Sequence, residues 1–400
     1  MDPTTTALGT WSGGRFMHFG EPVEEERLKT LLRPGGGIDT VITADVYGEG
    51  AADRLLGETL RGLERDSYCL VGAIGHDFYT GAREGAKGFP RFTDPRLRGE
   101  SEYAAYIRMA TERGLERIGV ERFDLLLLHN PDRTGYTSPA VWEGMRAVRE
   151  AGLTRLLGVA PGPANGFTLD LIDCVERFDE TIDWAMIIFG PLEPWPGKLV
   201  LDAAAAHGVS LIARVVDYGG LFHDDVLPGH EFAAYDHRKF RPAGWVEEGR
   251  ETLEWMRPYA ARHGLTMLQL ACQWALAHPP VRCVAPTLIQ EAAASQEAAA
   301  SGGEGGATQD SQFAPRPIED KRAELAALAA LRSTPEARLS DDEVAALRAK
   351  GDNAGCMALK GANPDFEGEP QPDRWPLTGE LAALAERWRI EPERDLSHIT

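Results

Sequence analysis

Positive charge is in short supply in this sequence. Against 62 Asp and Glu the 400 residues carry only 42 Lys and Arg, a formal charge of −20. That balance argues against a nucleic-acid or anionic-membrane partner, because such surfaces are held by Lys and Arg neutralising phosphates. No apolar run approaches the roughly 20 residues a membrane helix needs, and Met1-Asp-Pro-Thr-Thr-Thr6 lacks a basic region followed by an apolar stretch. The expected location is the cytoplasm. The five cysteines are scattered without Cys-x-x-Cys spacing, and Cys69, Cys174, Cys272 and Cys283 fall in apolar surroundings, as reduced core residues do. Metal-ligand spacing is missing too. His76, His129, His223, His230 and His237 lie on separate loops, with neither His-x-x-x-His nor His-Glu-x-x-His, so no metal is expected. Finally, no Gly-x-Gly-x-x-Gly follows a candidate strand, which weakens an open doubly wound sheet with a dinucleotide fingerprint.

What the sequence does contain is a repeated unit: a short leucine or β-branched run, a turn, then an amphipathic helical stretch. Candidate strands are Leu8–Trp11, Ile38–Thr43, Tyr68–Ile74, Phe123–His129, Thr154–Ala160, Trp184–Phe189, Ser210–Val215 and Val281–Ala285. Helical patterns fall between them at Glu24–Leu32, Ala51–Leu63, Glu102–Ile118, Pro139–Glu150, Leu169–Phe178, Lys198–Ala206 and Val246–His263. Leu125 to Leu128 is apolar on both faces, as a strand between a barrel interior and a layer of helices must be. The alternation predicts an α/β chain folded as a (β/α)8 TIM barrel, with function on the loops after the strands. The barrel is assigned to residues 1–290. Residues 291–314, rich in Ala, Ser, Gly, Gln and Glu, have little to bury and read as a flexible low-complexity insertion. Terminal barrel helices resume over 315–350, opened by Pro317 and by a capping box at Ser340 and Glu343. A C-terminal helical extension, 351–400, ends in a helix near Gly379–Arg389 and docks through Trp375 and Trp388.

Chemistry-bearing residues cluster at the predicted strand ends. The second strand runs into Thr43-Ala-Asp-Val-Tyr-Gly-Glu-Gly50 and the fourth is Asp124-Leu-Leu-Leu-Leu-His-Asn-Pro-Asp132. With Leu56-Gly57, Leu156-Leu-Gly-Val159 and Asp236-His-Arg238, this layout resembles the aldo-keto reductase superfamily over roughly residues 7 to 350. The resemblance implies an eight-stranded barrel, reversible carbonyl reduction and NADP(H) as cofactor. It implies further that Tyr47 is the proton donor and that His129 orients the substrate. Two partners of the family's tetrad differ here: Ile42 stands at the Asp position and Ala73 at the Lys position. A phenol of ordinary pKa near 10 relies on such neighbours to act near neutral pH. At the nicotinamide end the family's hydrogen-bonding side chains are replaced by Ala160, Pro161 and Met186, and the turn after the last strand reads Ala285-Pro-Thr-Leu-Ile289. Thr10, Trp11, Lys321 and Arg322 remain as cofactor-binding candidates, the last two for a 2′-phosphate.

Other residues are placed to take the vacated roles. His76 and Asp77 follow the third strand where the missing lysine would project, His76 as an acid or base and Asp77 as a substrate contact. Arg214 and Tyr218, at and after the seventh strand, suit an anionic or polyhydroxylated substrate, although Arg214 has Asp217 and Asp224 nearby as plain ion-pair partners. Asp45 either caps its loop or touches substrate. In the tail, Lys360 beside Cys356 is a further candidate for the missing cation, against an exposed or packing role. Three functions follow: a divergent reductase acting on a small carbonyl or sugar; a cofactor-independent lyase or isomerase of a keto-sugar on the same barrel; and a non-catalytic binding module. Substrate identity and oligomeric state stay open.

Overall fold

A computed structural model of the chain describes residues 1–85, 88–162, 168–195, 197–292, 315–351, 379–391 and 395. Eight parallel strands follow one another in sequence order: β1 Ala7–Gly9, β2 Thr40–Ile42, β3 Cys69–Ile74, β4 Phe123–His129, β5 Thr154–Ala160, β6 Trp184–Ile188, β7 Ser210–Arg214 and β8 Val281–Ala285. A parallel bridge from Thr6 to Val284 joins the last strand to the first, which makes the sheet a (β/α)8 barrel. The expected strands are found, with β1 and β2 shorter than their apolar runs. Thr10 and Trp11 lie beyond the end of β1, and Thr43 beyond β2.

The apolar residues sort into two layers. Ile42, Val71, Ala73, Leu125, Leu127, Met186, Ile212 and Cys283 fill the barrel interior, while Leu126, Leu128, Leu157, Ala185, Leu211 and Val284 face the surrounding helices. Both layers exist because adjacent residues of a strand point to opposite sides, and each fully buried leucine contributes roughly 1.5–3 kcal/mol by leaving water. Cys69, Cys174, Cys272 and Cys283 are buried and unpaired within these layers.

The outer ring comprises α1 Glu25–Leu32, α2 Ala51–Leu60, α3 Tyr103–Ile118, α4 Arg133–Thr137, α5 Pro139–Glu150, α6 Thr168–Arg177, α7 Leu201–Ala206, α8 Trp245–Arg262 and α9 Met267–Leu276. Two of these, α4 and α9, are additional to the helices expected from periodicity. Every residue of α9 is buried, so it has no polar face to mark a period. After β8 come α10 Ile318–Arg332 and α11 Asp341–Lys350, the latter opened by the expected capping box, in which Ser340 accepts from the Glu343 backbone. The C-terminal α12, Gly379–Arg387, packs on α6: Arg177 meets Glu380 at 2.9 Å, and the Trp388 indole donates to Glu176 at 2.7 Å. The predicted insertion, apart from Glu291, Ala292 and its edge beyond 314, lies outside the described residues, as do Cys356, Lys360 and Trp375. Among the described residues no helix is long and apolar enough to cross a membrane, and no group of three potential ligands gathers for a metal.

Candidate active site

The C-terminal ends of the strands surround a cavity of about 480 Å³, and the sequence explains how its central residues reach it. Tyr47 sits on the turn from β2 to α2. Gly48, Glu49 and Gly50 all adopt positive φ there, and a Cβ on Gly48 would press on Phe16 and Ala51 at 3.1 Å, so the chain can bend sharply enough to aim the phenol inward. His129 is the last residue of β4. Its carbonyl is approached so closely by β3's exit that a Cβ on Gly75 would lie 2.2 Å from it. The Tyr47 and His129 rings meet edge to face with centres 5.8 Å apart, and both line the cavity.

The electrostatics of the pair follow from burial. Desolvation pushes the Tyr47 phenol up to about 12, although Arg214 acts the other way, so the phenol keeps its proton at neutral pH. Burial, with Arg91 and Arg214 adding to it, pushes His129 down to about 3, and the imidazole is therefore neutral. Its Nδ1 is buried and hydrogen-bonds to none of the described residues, which leaves Nε2 as the ring nitrogen able to meet a molecule in the cavity.

His76 flanks His129 at 5.3 Å between ring centres and also lines the cavity. Its Nδ1 lies 3.0 Å from Arg91 and 3.1 Å from the Phe89 carbonyl, and its Nε2 lies 3.1 Å from the Asn130 amide. Burial and Arg91 hold it well below the usual histidine range. With both nitrogens engaged, His76 forms a neutral wall against which His129 rests. Arg91 also donates to the Asn130 carbonyl, and so ties the loop after β3 to the end of β4. Neither Arg91 nor Asn130 was singled out in the sequence. Asn130 follows the histidine directly, but Arg91 enters from a loop with no pattern to flag it.

Ile42 and Ala73 line the cavity floor, which is apolar there. Arg214 reaches in from β7. Its Nη2 donates to the carbonyls of Pro161 at 3.0 Å and Gly162 at 2.7 Å, rather than pairing with Asp217 or Asp224. Trp11, just beyond β1, lines the cavity as well, close over Gly9.

The remaining candidates face elsewhere. Asp45 is buried and absent from the cavity lining, and burial beside Asp53 raises its pKa well above the usual range. Asp77 is drawn into its own loop: it accepts from the backbone of Tyr79 and Thr80 and pairs with Arg98. Tyr218 is buried beneath Arg241, whose guanidinium lies 4.6 Å from its ring centre, and Trp245. The Thr10 hydroxyl contacts Thr43 at 3.5 Å. Lys321 is fully buried, with its ammonium 2.6 Å from Asp225 and 2.6 Å from the Ile289 carbonyl. Arg322 donates to the carbonyls of Leu31, Arg33 and Gly35 on the outer wall. A second depression of about 690 Å³, among Arg54, Arg61, Arg65 and Arg122 at the opposite end of the barrel, contains none of the predicted site residues.

Known proteins resemble the chain in sequence and in fold. The chain is 23% identical over 292 residues to a probable voltage-gated potassium channel subunit beta of Arabidopsis thaliana, which covers 69% of this chain and 82% of that protein. A glycerol dehydrogenase of Gluconobacter oxydans has a similar structure, with TM-score 0.59, 20% identity and coverage of 91% of this chain and 95% of the other. An aldo-keto reductase of Klebsiella pneumoniae, solved with NADPH, gives TM-score 0.52 at 18% identity, covering 92% and 94%. The family model for the aldo/keto reductase family matches residues 7–301, and on that match the chain belongs to the aldo/keto reductase family.

Proposed function

We propose that this protein is an oxidoreductase that reduces a small carbonyl compound or sugar with NADP(H), with Tyr47 as acid and His129 as the group that orients the substrate. The observation that carries the reading is the Tyr47–His129 pair, 5.8 Å apart at the open end of the barrel and facing one cavity. Family membership supports an oxidoreductase, and the Klebsiella reductase with bound NADPH supports the cofactor.

The cavity lining fits such a cofactor. Gly219, Thr287 and Ile289 form a wall running from β7 to β8, along which a dinucleotide would lie, and Arg15, Arg238 and Arg241 stand beside it, each next to a carboxylate. At the chemical end, Ala160, Pro161 and Met186 offer no side-chain hydrogen bonds, so a carboxamide there would depend on backbone groups. Bound in this groove, NADPH supplies the hydride that the carbonyl carbon takes up. Nε2–H of His129 donates to the carbonyl oxygen and fixes its direction. Tyr47 then passes its proton to that oxygen, completing the alcohol, and its phenolate recovers a proton from water. A phenol at about 12 is a poor acid, and the pull comes from the alkoxide, a far stronger base, that forms as hydride arrives.

Titration with NADPH, followed by nicotinamide fluorescence, and turnover of small aldehydes and aldoses test the reading. Micromolar binding with carbonyl-dependent NADPH oxidation supports it. Turnover of a keto-sugar without any NADPH binding points instead to a lyase or isomerase, a reading favoured by the apolar Ile42 and Ala73 on the cavity floor.

A further inference from the structure

The cavity and the chain as a whole differ in sign of charge. Acidic residues outnumber basic ones 62 to 42 overall, yet arginines outnumber carboxylates along the cavity wall. Most of these arginines have counter-charges: Arg238 pairs with Asp236 and Glu291, Arg15 with Glu25, and Arg241 stands 3.6 Å from Glu193. Asp217 is engaged by the backbone of Thr287 and Gly220.

Arg214 is different. Its hydrogen-bond partners among the described residues are two backbone carbonyls on the single nitrogen Nη2, and no carboxylate there stands within ion-pair distance, Glu193 acting on it only from farther off. Carbonyls satisfy hydrogen bonds but supply no negative charge. The guanidinium is thus a half-buried, cavity-lining cation whose Nε and Nη1 hydrogen-bond to none of the described residues, a state that a paired anion relieves. It is also the cation whose charge acts on Tyr47, which places it at the reacting end rather than along the outer wall.

We propose that the carbonyl substrate carries a carboxylate, and that Arg214 holds this carboxylate beside Tyr47 and His129. The inference rests on the reductase reading and narrows its substrate class. A cofactor phosphate has the same anionic chemistry, and the test separates the two. Rates with NADPH are compared for glyoxylate, 4-oxobutanoate and D-glucuronate against methyl glyoxylate, methyl 4-oxobutanoate and D-glucose, in wild type and in Arg214→Met and Arg214→Lys, with NADPH affinity measured in parallel. The expected result is a kcat/KM at least about tenfold higher for one charged member than for its neutral partner, lost in Arg214→Met and partly kept in Arg214→Lys, with NADPH affinity within about twofold of wild type. Equal rates for charged and neutral partners overturn the proposal. So does an Arg214→Met variant that weakens NADPH and leaves the preference intact, which assigns the guanidinium to a cofactor phosphate. Should wild type bind no NADPH, the reductase reading falls, and the proposal is then read from quenching of tryptophan fluorescence by 4-oxobutanoate: quenching lost in Arg214→Met supports it, and no binding overturns it.

Discussion

The imidazoles of His76 and His129 stand 5.3 Å apart, inclined at 60°, and both are kept neutral inside the protein. Neither gains a carboxylate to stabilise its charged form. Instead, burial and the Arg91 guanidinium disfavour a second positive charge, so both rings stay neutral around pH 7.

That neutrality ties stability to pH. His129 titrates at about 3 in the folded chain and near 6.5 when unfolded, so between those values the unfolded chain takes up a proton that the folded one refuses. The contribution is complete above pH 6.5 and is lost as pH falls toward 3. His76 and His223 act in the same direction. Urea unfolding of wild type and His129→Gln at pH 7 and pH 5 isolates the term, because the other groups cancel in the comparison. The variant should lose less stability on acidification, with a slope shallower by up to about 1.4 kcal/mol per pH unit. Parallel pH profiles would show that His129 is not the neutral ring described.

Tyr47→Phe removes the hydroxyl proposed as proton donor and keeps the ring against His129. General acid assistance is worth about 10²–10⁴-fold, so turnover should fall by that order while the melting temperature changes little. With the phenol at about 12, wild-type reduction should also show no loss from Tyr47 deprotonation between pH 6 and 9. Unchanged turnover in the variant would remove Tyr47 from the chemistry.

Much of this architecture was legible in the sequence because parallel barrel strands are apolar on both faces. Leu125 to Leu128 could be little else, and the loops after β2 and β4 therefore belonged at one end of the barrel, carrying Tyr47 and His129 together. The helix Met267–Leu276 was missed because it is buried all round, although Thr266 and Gln269 form a capping box at its start. Arg91 was illegible for a different reason. It lies 38 residues before His129 in a loop, and only the closed barrel brings it against His76 and the Asn130 carbonyl. Lys321 was a 2′-phosphate candidate at an acidic helix start, and no local pattern reveals that Asp225 and the Ile289 carbonyl draw its ammonium inside.

The burial of Lys321 separates two roles for it. Lys321→Met leaves Asp225 as an unpaired buried carboxylate, which typically costs about 3–5 kcal/mol, and the loss should be visible in chemical denaturation. Lys321→Met combined with Asp225→Leu should recover much of it. Because the ammonium is engaged on both counts, NADPH affinity well below the melting temperature should stay within about twofold of wild type. A loss of tenfold or more would mean that the ammonium leaves Asp225 for the cofactor.

Gly75 tests whether the placement of His129 depends on the close approach of β3 and β4. A Cβ there would lie 2.2 Å from the His129 carbonyl oxygen, 3.1 Å from its carbon and 3.2 Å from its nitrogen. All three are backbone atoms, so no side-chain rotation relieves the clash and one strand end must move. Overpacking of this kind costs about 1–3 kcal/mol, and here the displaced atoms carry the imidazole proposed to orient the substrate. Gly75→Ala should therefore lower both stability and kcat/KM. Gly99→Ala serves as the control: its φ is −88°, and its Cβ would meet nothing nearer than a Glu102 carboxylate oxygen at 3.9 Å, so stability should change by no more than about 0.5 kcal/mol and turnover should not change. If Gly75→Ala is as stable and active as that control, the end of β4 is loose enough to absorb a methyl group, and the tight seat assigned to His129 is wrong.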